Sequence, residues 1–305
     1  MDIKKGTVLV TGANGGLGSA IVEQLASQPK FANYHGLYAV RDAKLAPSVK
    51  SLLSQNPSHS YDAVSLDLAN LDSTLILNAG FQDFGKQVWT DDGLNMTFSA
   101  NYLGHWLLTL LLLKSMNKES GRIVIVGSHP YDKRNEGTQA FDDEKYKTIS
   151  SAQEDPSGRS GYRRYGAAKL FSIMMIHELQ RRMDRDPVLS NICVLGVDPG
   201  TMATSLQRHA PWFIRVLLFK IIYPIILMLM PNGPVIRSTQ KSASQVLEAA
   251  FETSPEFPKG LYYFDTKLLE TSAESKDPRA RDVVWKESIK YAHVEQGETV
   301  LSHLQ

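Results

Sequence analysis

Tyr165 and Lys169 stand four residues apart within residues 162–183, where apolar positions recur with helical spacing. That spacing puts both side chains on one helix face, about a turn apart. A phenol near its ordinary pKa of ~10 is a poor base at neutral pH, but a neighbouring ammonium favours the phenolate and lowers that value. Such a pair can pass a proton to or from a reacting oxygen, although the spacing alone also fits an amphipathic surface. Other reactive side chains have blander readings. His105 lies in an apolar helical run and reads as a packed or hydrogen-bonded histidine. Cys193, the single cysteine, lies in the apolar run 191–197 and reads as a small core residue. No clustered His, Cys or carboxylate set has metal-ligand spacing.

A second piece of chemistry sits near the start. Thr11-Gly12-Ala13-Asn14-Gly15-Gly16-Leu17-Gly18 follows the first apolar run and opens a helical pattern. Glycines there let the backbone turn sharply and approach a pyrophosphate, and the free N–H groups of a helix start face an anion. A bare strand-to-helix turn would look the same. The elements that position these residues alternate. Short apolar runs at 7–10, 37–40, 75–77, 123–126 and 192–197 read as buried parallel strands. Between them, 17–26, 95–116 and 162–183 have helical spacing. That alternation predicts an α/β fold with a Rossmann-type doubly wound sheet. One domain, 1–305, is the economical division: a core at 7–200, an apolar cover at 201–233 and C-terminal elements at 234–305.

Counted as Gly12, Gly16 and Gly18, the glycine spacing resembles the opening motif of the short-chain dehydrogenase/reductase family, and further matches follow in order. They are Asn78-Ala79-Gly80, Asn101, Ser128 at a strand end, Tyr165-x3-Lys169 and the turn Asp198-Pro199-Gly200-Thr201. The motifs cover 7 to about 204, and the remainder resembles the retinol-dehydrogenase-like, fungal-type branch. The resemblance implies a cofactor cradle of Gly12, Asn14, Gly16, Leu17, Gly18, Asn78, Ala79, Gly80, Pro199, Gly200 and Thr201, with Asp67 at the adenine. Family enzymes selective for NAD carry an acid where this chain has Val40, whereas Arg41 holds the place of the NADP-selective arginine. NADP(H) is therefore the expected cofactor. The implied reaction is carbonyl reduction or its reverse, with Tyr165 as general acid or base and Ser128 holding the same oxygen. Lys169 would bind the nicotinamide ribose, and Asn101 would hold a water linked to Lys169. The resemblance also implies a homodimer paired through the apolar helix 102–113, which can serve as core as well.

Composition narrows the partners. Lys and Arg total 33 against 32 Asp and Glu, so no strong field gathers nucleic acid. The start carries no secretory signal, which suits a cytoplasmic location. Residues 211–231 are apolar but interrupted by Arg215, Lys220 and Pro224. They are too short to span a bilayer and suited to lying on the cytosolic face of one. Trp212, Phe213, Phe219, Ile221, Ile222, Ile225 and Met228 in this cover imply an apolar small-molecule substrate.

Two features depart from the family. The 36 residues between Ser128 and Tyr165 form a polar insertion at 131–161, read as a surface excursion or a flap. Only six residues separate Asp67 from Thr74, where the family carries a crossover helix. Fully extended they reach about 21 Å, against a diagonal of roughly 22 Å across two strands. The third strand is therefore expected to be displaced or lost. The alternative function follows from this: a catalytically impaired NADP-binding protein with a regulatory or scaffolding role.

Overall fold

The computed structural model describes residues 6–40, 47–64, 74–84, 87–128, 159–210, 212, 214–230, 233, 236–253 and 258–304. Eight strands form one sheet: β1 (Gly6–Thr11), β2 (Tyr34–Ala39), β3 (Tyr61–Val64), β4 (Thr74–Leu77), β5 (Arg122–Val126), β6 (Cys193–Asp198), β7 (Tyr262–Phe264) and β8 (Lys267–Leu268). Their spatial order is β3-β2-β1-β4-β5-β6-β7-β8, parallel throughout except for β8. The expected doubly wound α/β sheet is present.

Alternate side chains of β1 divide the core. Val8 and Val10 pack with α1 (Gly16–Ser27), α2 (Pro47–Ser54) and a later helix, Thr239–Phe251, while Leu9 packs on the other face. That other face carries α3 (Met96–Ser115) and α4 (Arg159–Met183). An apolar strand buried on both faces is what a parallel sheet between helix layers requires.

The third strand is neither displaced nor lost. β3 pairs with β2 in parallel, Gly36 opposite Tyr61 and Ala39 opposite Val64, while β4 pairs with β1, Val8 opposite Thr74. The expectation failed because it placed the strand end at Asp67. The strand ends at Val64, so nine residues, 65–73, join β3 to β4. Nine residues reach more than 30 Å when extended, enough for the diagonal. The crossover is still too short for a five-turn helix. In keeping with that, Leu37 and Val64 on this face are only partly buried, whereas Tyr38 on the opposite face is sealed, its hydroxyl 2.6 Å from His59 Nε2.

α3 is the one described helix long and apolar enough to cross a membrane, and it is two-thirds buried in the fold. Its C-terminal partner is the helix Pro278–Ala292. Trp285 meets Trp106 edge to face with centroids 5.1 Å apart, and Ser288 meets the Tyr102 hydroxyl at 2.7 Å. The following residues latch the same layer. Thr299 donates to the Leu110 carbonyl at 2.9 Å, Arg182 donates to the His303 and Leu304 carbonyls, and Asp186 accepts from the Ser302 backbone and hydroxyl. The homodimer implied by the resemblance would thus have little of α3 to use, chiefly the partly exposed Leu107 and Leu111.

Candidate active site

The carboxyl ends of the parallel neighbours β1, β4, β5 and β6 lie along one side of the sheet, the side on which open parallel sheets usually bind ligands. At β1 the chain turns through Gly12, whose φ of +65° suits glycine. A Cβ on Gly18 would lie 2.1 Å from the Gly12 carbonyl oxygen, so only glycine lets the helix start this close to the turn. Asn14 is exposed at the tip and Leu17 is buried beneath it. No side chain caps α1 at its start, and no acid occupies its first turn. This arrangement fits a bound pyrophosphate: the free helix N–H groups point outward and no carboxylate repels the anion.

The turn is tied to β4 through one hydroxyl. Thr11 Oγ1 accepts the backbone N–H groups of Asn78 and Ala79, each at 2.9 Å, and lies 3.1 Å from His105 Nε2. With both lone pairs occupied, the hydroxyl hydrogen goes to His105, whose Nε2 accepts it. Asn78 adds a bond from Nδ2 to the Thr11 carbonyl at 2.9 Å, and Gly80 follows at the strand end. His105 is therefore a neutral structural clamp, as its apolar helix suggested. Burial, aided by the charge of Lys169, pushes its pKa down to about 3.

An acid-stability prediction follows. Below pH ~6.5 an unfolded His105 takes up a proton that the folded chain refuses until about pH 3. Stability is therefore present above pH 6.5 and is lost as pH falls through that window. Between pH 6.5 and 4.5 the native chain should lose about 2 kcal/mol more unfolding free energy than His105→Gln does. Denaturant unfolding at several pH values checks this, and parallel curves for the two proteins would refute it.

Tyr165 and Lys169 lie on α4, which packs against β5. Lys169 Nζ donates to the Val126 carbonyl at 2.7 Å, two residues before Ser128. That bond draws the helix face carrying Tyr165 and Lys169 to the strand end carrying Ser128. Both helix residues are buried, and Lys169 Nζ lies 5.7 Å from the centre of the Tyr165 ring. Burial pulls the Lys169 amine down to about 8, with Asp198 opposing. Asn101 stands in a π-helical turn of α3, Ser99–Leu103. Its side chain donates to the Phe81 and Thr97 carbonyls at 2.7 and 2.6 Å, fixing the segment after Gly80, and its carbonyl accepts from Ser172 at 3.1 Å. On the far side, Gly200 takes a φ of +73° with its N–H on Asp198. The Pro199 and Thr201 carbonyls are held by Ser242 and by the Arg237 backbone.

The structure thus brings Gly12, Asn14, Gly16, Leu17, Gly18, Asn78, Ala79, Gly80, Asn101, Ser128, Tyr165, Lys169, Pro199, Gly200 and Thr201 to one edge of the sheet. Arg41 and Asp67 lie outside the described residues, as does most of the insertion. Val40, where an NAD-selective acid would stand, is buried.

Three features were not anticipated. Thr204 packs on Gly16, where even a Cβ would come within 2.9 Å. Its position after the Pro199-Gly200 turn was the available signal. Asp83 and Arg164 form a buried ion pair, Nη2 to Oδ1 2.6 Å, with Thr97 donating to the other carboxylate oxygen at 3.1 Å. The pair anchors α4 immediately before Tyr165. Beside it, Phe81, Phe84, Val88, Trp89 and His209 line a cavity of about 490 Å³. The apolar cover, in contrast, does not supply the cavity wall its sequence implied. Trp212, Ile221, Ile222, Ile225 and Met228 face outward, Phe219 packs against the core, and Phe213 lies outside the described residues.

No family model matches the chain. Among curated proteins, the short-chain dehydrogenase iccH of Talaromyces variabilis is 37% identical over an alignment of 361 positions that covers 98% of each chain. Since this chain has 305 residues, the relative carries internal residues that this one lacks. Among solved structures, an uncharacterized protein from Mycobacterium paratuberculosis matches with a TM-score of 0.65 at 21% identity, over 95% of this chain and 94% of its own. The angucycline C-6 ketoreductase LanV, with bound NADP, matches with a TM-score of 0.57 at 19% identity, over 86% and 94%. These structural likenesses establish the shared fold.

Proposed function

We propose that this chain, which belongs to the short-chain dehydrogenase/reductase family, acts as an NADP(H)-dependent oxidoreductase on the carbonyl, or the corresponding alcohol, of an apolar small molecule. The observation that supports the reading is the bond from Lys169 to the Val126 carbonyl, which ties the helix carrying Tyr165 to the strand that runs out just before Ser128. In this reading the turn Gly12 to Gly18 and the start of α1 hold the pyrophosphate. Arg41 takes the 2′-phosphate, and Asn78, Ala79, Gly80 and residues 199–201 hold the nicotinamide end. The nicotinamide cofactor, when bound, supplies or removes the hydride.

Ser128 hydrogen-bonds the substrate oxygen and keeps it in line. The Tyr165 hydroxyl gives that oxygen its proton during reduction and takes it back during oxidation. Lys169, desolvated and poised near pH 8, favours the tyrosinate that follows proton donation. Asn101 fixes the π-helical turn behind Lys169 and holds the water that returns the proton. The aromatic cavity beside Phe81 and His209 takes the apolar body of the substrate. NADP rather than NAD is favoured by the absence of a carboxylate at Val40 and by Arg41, in line with the NADP bound to the ketoreductase of similar fold.

Calorimetric titration tests the reading before any substrate is known. NADPH is expected to bind at least about tenfold more tightly than NADH, a difference of roughly 1.4 kcal/mol. Arg41→Asp should abolish that preference. A folded sample that binds neither nucleotide would end the enzyme reading. Tight NADPH binding without turnover across a broad panel of apolar ketones and aldehydes would instead favour the silent cofactor-binding protein that the short crossover raises.

A further inference from the structure

We propose that the outer face formed by Trp212 and residues 215–230 is a membrane-docking surface that seats on an anionic lipid bilayer. A π-helical stretch, Ile214–Ile222, continues as the α-helix Tyr223–Leu229. Phe219, Tyr223 and Leu227, spaced four apart, turn inward onto the core, and the Tyr223 hydroxyl donates to the Arg237 carbonyl. This stripe fixes which face points out. On the outer face Trp212, Leu217, Ile221, Ile225, Met228 and Leu229 are exposed, Met228 by 77% and Leu229 by 71%. Nine of the seventeen large apolar side chains exposed among the described residues fall between 212 and 230. Scattered exposed apolar residues are ordinary, but a continuous run of this size marks a binding surface.

Charge selects the occupant. From 199 to 247 the chain has no Asp or Glu, yet it carries Arg208, Arg215, Lys220, Arg237 and Lys241 in a protein of net charge +1. Arg237 is buried against Phe264 and Asp265, whereas Arg215 and Lys220 are exposed beside the apolar face. A second copy seated on this face about a two-fold axis would bring together two faces of the same positive charge, with no carboxylate in 199–247 to offset either. An anionic headgroup layer pairs with them while the acyl boundary takes the apolar side chains. Sixteen helical residues, 214–229, reach about 24 Å, too short for a ~30 Å hydrocarbon core, so the segment lies in the interface. His209, at the entrance to the helix, lines the aromatic cavity, so docking would bring that cavity close to the lipid. This inference does not rest on the hydride-transfer reading, because vesicle binding needs neither cofactor nor substrate.

Vesicle sedimentation of the full chain tests it. The protein should pellet with phosphatidylcholine vesicles containing about 30% phosphatidylserine, and at least about tenfold less with phosphatidylcholine alone. The difference should shrink as salt rises. Leu217→Ser/Ile225→Ser/Met228→Ser should abolish pelleting while the unfolding midpoint holds. Arg215→Glu/Lys220→Glu, which spares the apolar face, should remove the preference for anionic vesicles and serves if the triple variant does not fold. Protein that stays in the supernatant with both vesicle types overturns the proposal. So does a dimer in sedimentation equilibrium that the triple variant dissociates, because a second copy would then cover the face.

Discussion

Tyr165→Phe is expected to lower carbonyl reduction by about 10²- to 10⁴-fold, the range for removing a positioned general acid. NADPH affinity should change no more than a few-fold. The substitution deletes one oxygen from a buried ring, and the bond from Lys169 to Val126 that aligns the helix with β5 does not involve it. The loss should fall on kcat with little change in KM, because proton donation is needed in the transition state and not in the bound ground state. Stopped-flow loss of NADPH absorbance, with any ketone the native protein turns over, separates the two. Retention of more than a tenth of native kcat would mean that another group donates the proton.

The second large effect concerns stability. Asp83→Ala should cost about 3–5 kcal/mol, because it leaves the Arg164 guanidinium buried without its carboxylate. Asp83 lines the aromatic cavity, and Arg164 immediately precedes Tyr165. The loop and helix meet so closely that a Cβ on Gly161 would stand 2.3 Å from the Asp83 carbonyl oxygen. A drop of about 5–8 °C in the unfolding midpoint is the corresponding observable. The double variant Asp83→Leu/Arg164→Met should recover most of that loss, since breaking a buried pair is what destabilises, whereas replacing both partners by apolar groups is often neutral. If the double variant is as unstable as the single one, the cost lies in packing around Thr97 and not in the lone charge.

The parts of this molecule that a local pattern dictates were legible in the sequence. The glycine turn reads directly because Gly12 needs a positive φ and Gly18 a bare Cα. That Tyr165 and Lys169 share a helix face follows from their spacing, whereas their role was read from the ordered set of motifs around them. β3 did not, and the reason is physical. At the sheet edge Tyr61 and Asp62 are exposed, so no buried apolar run announces the strand and its pairing to β2 rests on backbone bonds. The Asp83–Arg164 pair joins residues 81 apart, and the Thr11–His105 clamp joins residues 94 apart; neither carries a spacing signal. The cover was legible as apolar but not as to its facing. That depends on which stripe of 219, 223 and 227 meets the core, a tertiary outcome with no trace in composition.

The latch formed by residues 299–304 also sets the order in which the chain can complete itself. The Leu110 carbonyl waits for a partner 189 residues later, and Asp186 for one 116 residues later. During synthesis, the strands and α3 can assemble while the surface of α3 that will receive Trp285 remains bare. Contacts of such long sequence separation form late and leave apolar surface uncovered until they do. Tyr165 and Lys169 therefore sit on a helix whose outer packing closes among the last events of folding, and during that interval the unfinished chain is most open to aggregation or capture by chaperones.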